Sequence, residues 1–78
     1  MTKRMTPKQY AAERGVSVQR VQAMLRQIER LENNPTDVNK ARLIDKWWAL
    51  KNIGLGAEVK SITVEKFGAY RILTVEYY

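Results

Sequence analysis

Chemistry needs nucleophiles, proton carriers or metal ligands, and this chain is nearly without them. It contains no cysteine and no histidine, and Ser17 and Ser61 are its only serines. The commonest general base and the usual transition-metal ligand are therefore missing, and thiolate metal sites and disulfide scaffolds are excluded. A nucleophile–base pair is nearly impossible to assemble. The residue types that do recur at regular spacing are amides and guanidinia: Gln19, Arg20, Gln22, Arg26, Gln27 and Arg30. Their chemistry is planar hydrogen bonding, glutamine to adenine and arginine to guanine O6 and N7. The expectation is binding without catalysis, with no cofactor, metal or small-molecule substrate.

The charge points the same way. Residues 1–30 carry seven basic side chains against two acidic ones, whereas residues 31–78 carry seven against six. Most of the +6 net charge thus lies in the N-terminal part. A polyanion, nucleic acid or an acidic membrane surface, is the partner such an imbalance suits. No apolar run is long enough to span a bilayer, and Lys3-Arg4 leads into the polar stretch Thr6-Pro7-Lys8-Gln9 with no signal-peptide core. A cytoplasmic protein with no membrane partner is expected. At 78 residues the chain is one domain, 1–78, whose core is small enough that a partner subunit or a ligand would help stabilise it.

The elements that would position the amides and guanidinia follow from local signals. Thr6-Pro7-Lys8-Gln9 is a capping-box start for a helix from Lys8 to about Arg14, which Gly15 ends. Ser17 caps a second helix. Its apolar residues Val18, Val21, Met24, Leu25, Ile28 and Leu31 make one face and leave the Gln/Arg set on the other. Asn33-Asn34-Pro35 breaks it, and a third helix runs from Asp37 to Asn52. That helix carries two adjacent apolar stripes, Val38/Ala41/Ile44/Trp48 and Leu43/Trp47/Leu50, so it should be covered on two sides. Gly54-Leu55-Gly56 reads as a turn, since no helix follows to make it a phosphate loop. Lys60–Tyr78 reads as a hairpin about Gly68-Ala69, pairing Phe67 with Tyr70, Lys66 with Arg71, Val64 with Leu73 and Ile62 with Val75. The fold class is α+β: three helices, then a two-stranded antiparallel hairpin.

The segment Thr6–Leu25 resembles the helix-turn-helix of bacterial and phage DNA-binding proteins, especially the excisionase and MerR-like type. The residues that carry the likeness are Ala11 at the helix crossing, Gly15 in the turn, Val16 beneath it, the Ser17 cap, and Val21 and Leu25 on the inner face. The resemblance implies that residues Ser17–Glu32 form a recognition helix and that the hairpin acts as a wing. The alternative recognition helix, Asp37–Asn52, offers little groove-facing polar surface. On this view Lys3, Arg4, Lys8 and Arg14 contact phosphates, and Ser17, Gln19, Arg20, Gln22, Arg26 and Arg30 lie at the base-reading helix. Lys66 and Arg71, opposed at the wing tip, would grip a phosphate between them or else be merely solvated. Met1-Thr2-Lys3-Arg4 is expected to be disordered, with a minor-groove arm as the other reading. Glu13, Glu29 and Glu32 are expected to pair with arginines near them in sequence.

Ile28, Leu31, Leu43, Trp47 and Leu50 exceed what one hairpin face can cover, so a homodimer interface is expected there, with Trp48 in the core and Trp47 in core or interface. The implied function is sequence-specific binding of double-stranded DNA, by a transcriptional regulator or recombination factor of a phage or mobile element. The rival is a protein-interaction module, an antirepressor or host-factor binder, that keeps the helix-turn-helix as scaffold. RNA binding through Phe67 and Tyr70 is a third reading, for which no RNA-module motif is present.

Overall fold

The computed structural model describes all 78 residues. Six elements follow in order: β1 (Thr2–Met5), α1 (Pro7–Arg14), α2 (Val18–Glu32), α3 (Asp37–Lys51), β2 (Val59–Phe67) and β3 (Tyr70–Tyr77). The class is α+β, with three helices and a three-stranded antiparallel sheet in the order β1-β3-β2. The two-stranded hairpin expected from the sequence is therefore incomplete. Thr2, Lys3 and Arg4 of the tail expected to be disordered, together with Met5, pair with β3 in the register Thr2–Glu76, Lys3–Val75, Arg4–Thr74 and Met5–Leu73. Only Met5 of that strand is buried, so its side chains carry no alternation for a pattern to detect. What holds it is backbone pairing to β3, extended by the Tyr77 N–H donating to the Met1 carbonyl at 2.7 Å.

The helix boundaries follow their capping chemistry. Thr6 and Gln9 form the reciprocal capping box, Thr6 N–H to Gln9 Oε1 at 2.8 Å and Gln9 N–H to Thr6 Oγ1 at 3.2 Å. Gly15 takes φ +69° and ends α1 in the left-handed conformation that favours glycine. Ser17 and Thr36 accept the N–H groups of Arg20 and Asn39 and so start α2 and α3. The β2–β3 register is the one the alternation requires, with Val64 against Leu73, Ile62 against Val75 and Lys66 against Arg71. Gly68, at φ +61° with Ala69 at negative φ, makes the two-residue turn. A bulge at Lys60 then brings buried Val59 opposite Tyr77.

One core joins the sheet to the helices. Tyr10 and Ala11 of α1, Val21, Leu25 and Ile28 of α2, and Leu50 of α3 bury against Met5, Val59, Ile62, Leu73, Val75 and Tyr77, with Ile53 between. Leu43 and Trp47 are partly buried against it. The Val38/Ala41/Ile44/Trp48 stripe of α3 is not covered: Val38, Ile44 and Trp48 are 61%, 70% and 65% exposed. Trp48, expected in the core, faces water. Ile28 and Leu50, expected at an interface, are instead interior, because the sheet and α2 need those positions to close the core.

Candidate nucleic-acid interface

The surface of α2 is fixed by its buried side. Val21, Leu25 and Ile28, spaced four and three apart, are fully enclosed. Each such side chain contributes roughly 1.5–3 kcal/mol on burial, which pins the rotation of the helix about its own axis. With that rotation set, Gln19, Arg20, Gln22, Arg26, Gln27 and Arg30 are all exposed. Ala23, among them, is half-buried and adds little bulk to that surface. Ser17, at the start of the helix, is exposed, and its Oγ is occupied in accepting the Arg20 N–H at 3.2 Å.

One carboxylate borders this row, and the hairpin neutralises it. Arg71 grips Glu29 with two hydrogen bonds, Nε to Oε1 at 2.5 Å and Nη2 to Oε2 at 2.8 Å. Lys66 approaches the same carboxylate at 3.9 Å. The side-chain hydrogen bond from Arg71 is the main reason the Glu29 carboxyl lies below its usual range, and the Arg71 guanidinium is raised in return. The like-charge opposition of Lys66 and Arg71 is thus relieved within the protein. Neither a phosphate nor simple solvation is needed to explain it, and Glu29 is a long-range partner of β3, not of a neighbouring arginine on its own helix.

Arg14 is corrected more strongly. Expected at a phosphate, it is 5% exposed. Its Nε donates to the Ile53 carbonyl at 2.9 Å and its Nη1 to the Ala57 carbonyl at 2.5 Å. Its own carbonyl accepts the Leu55 N–H at 3.0 Å. The Gly54-Leu55-Gly56 turn is shaped around it. A Cβ on Gly54, whose φ is +66°, would stand 1.9 Å from the Arg14 carbonyl oxygen. Glu13, beside it, accepts a hydrogen bond from the Tyr77 hydroxyl. Burial, with that hydrogen bond second, pushes the Tyr77 phenol up to about 12.

The remaining cations lie apart from α2 in sequence. Lys3 stands 5.9 Å from the centre of the Tyr77 ring, on the helix-facing side of β1, while Arg4 alternates to the other side. Lys8 is exposed in the first turn of α1. Of the five residues expected at an interface, Ile28 and Leu50 are buried, and Leu31, Leu43 and Trp47 are half-buried. No helix of the protein is long and apolar enough to cross a membrane. Comparison with protein-family models, curated proteins and solved structures returns no match.

Proposed function

We propose that this protein binds double-stranded DNA in a sequence-specific manner, with α1 and α2 acting as a helix-turn-helix and the β2–β3 hairpin as its wing. The observation that carries the reading is the α2 surface. Three arginines and three glutamines stand exposed on a helix whose opposite side is locked into the core, and the one carboxylate beside them is neutralised from the hairpin. Major-groove edges are read by such side chains, arginine on guanine and glutamine on adenine. Gln19, Arg20, Gln22 and Arg26 take that role, while Lys3, Arg4, Lys8 and Arg30 neutralise phosphates and set the orientation. Regulation of transcription, or an architectural part in recombination of a phage or mobile element, fits a small binding protein of this kind.

The test is selection of bound duplexes from a random pool. An enriched motif is expected, and its binding should weaken steeply between about 50 and 200 mM salt as phosphate contacts release counterions. No enrichment at low salt overturns the proposal. That result would favour the second reading, a protein-interaction module, which the uncovered stripe of α3 supports.

A further inference from the structure

The outer stripe of α3 is an apolar surface that nothing in the monomer covers. Val38, Ile44 and Trp48 are more than half exposed. Ala41, Ile44 and Trp48 are spaced three and four apart and so share one face, with exposed Ala41 leaving a gap where a larger side chain would stand. Asp37 lies at the N-terminal end of the helix and Lys51 at the C-terminal end.

This arrangement complements itself when reversed. We propose that α3 pairs antiparallel with α3 of a second copy, about a two-fold axis at Ile44. A two-fold interface uses the same patch twice, so whatever one residue meets must meet it in return. With Ile44 against Ile44 on the axis, Trp48 of each copy enters the gap over Ala41 of the other. Asp37 of each copy then lies beside Lys51 of the other, and the two helix dipoles oppose. The parallel alternative sets Trp48 on Trp48, Asp37 on Asp37 and Lys51 on Lys51, and leaves the Ala41 gaps facing each other. Asp45 flanks the stripe near the axis and meets its own copy, but it is exposed, where water and salt screen the repulsion. The pairing uses none of the residues assigned to DNA and stands whether or not DNA is bound.

One helix face is small beside the ~800 Å² per partner of a standard interface, so dissociation in the micromolar range is expected. Sedimentation equilibrium of the full chain without DNA reads it. A reversible dimer should appear by about 300 μM, a concentration well above a micromolar dissociation constant. A protein that is still monomeric there overturns the proposal. Trp48→Glu alters an exposed position, so the fold should survive (checked by circular dichroism), and association should weaken at least about 30-fold. Unchanged association in that variant overturns the assignment of the surface.

Two exchanges test the register. Ala41→Trp should block pairing, and adding Trp48→Ala should restore it by exchanging bump and gap. Asp37→Lys and Lys51→Asp should each weaken pairing at low salt and recover together. Recovery in either exchange supports the antiparallel pair, and recovery in neither overturns it. Asp45→Asn, which removes the like-charge contact beside the axis, should tighten the dimer, and weaker association in that variant counts against an axis at Ile44.

Discussion

Arg14 illustrates how far a residue's type leaves its role open. The other basic side chains of residues 1–30 are all exposed, yet Arg14 serves as the internal fastening between the end of α1 and the turn that follows α3. Arg14→Met keeps much of the volume and removes both donors. It should lower stability by about 2–4 kcal/mol in urea unfolding, since two carbonyls lose charge-assisted hydrogen bonds. Gly54→Ala should be comparably damaging, because the added methyl meets backbone and the positive φ disfavours any side chain. The buried Tyr10 hydroxyl donates to the Leu50 carbonyl at 2.7 Å, and burial raises its pKa from 10.0 to about 12. A phenol raised in the folded state contributes stability that is complete below pH ~10 and lost as pH rises through 12. Tyr10→Phe should therefore cost about 1–2 kcal/mol at neutral pH and flatten part of the alkaline loss, followed by denaturation at stepped pH. The sequence shows the glycines at 54 and 56 as a turn. It does not show which side chain they admit, because Arg14 lies some forty positions away.

At the scale of elements, capping made the helices legible. Thr6, Ser17 and Thr36 each act on an N–H three residues ahead, so the signal and the structure it makes are local. The hairpin register was legible for a related reason, since alternation over Ile62–Val64 and Leu73–Val75 allows only one pairing that buries both. β1 was not legible. Its pairing is set by the free edge of β3, some seventy residues later, and its side chains are mostly exposed. The link between α2 and the hairpin is of the same long-range kind. Glu29 is held ionised below the ordinary carboxylate range, so the strap contributes stability above the unfolded pKa of ~4.3 and loses it as pH falls through the lower folded value. Glu29→Gln should remove about 1 kcal/mol at pH 7 and remove that acid dependence, as read by thermal unfolding from pH 7 to 3.

At the scale of the whole molecule, the proposed reading helix and the proposed dimer surface lie on different helices and fail independently. Arg20→Ala and Arg26→Ala should each weaken binding to a selected duplex by roughly 1–3 kcal/mol and relax preference at one base pair, measured by fluorescence anisotropy. If both variants bind the selected duplex as tightly as the parent, α2 is not the reader. Trp48→Glu should leave the affinity of one protomer for DNA unchanged while weakening self-association at least about 30-fold. The composition and the spacing of residues determined the helices, their caps, the hairpin and the concentration of amides and guanidinia on α2. These are properties of neighbours in the chain, where periodicity and capping act. Only the tertiary structure decided which cations remain free, with Arg14 buried and Arg71 bound to Glu29, and which stripe of α3 faces water. The reason is that α2, with a smaller contribution from β2, covers one side of the 15-residue α3 and no more. Leu43, Trp47 and Leu50 took that side, and Ile44 and Trp48 were left for whatever lies outside the chain.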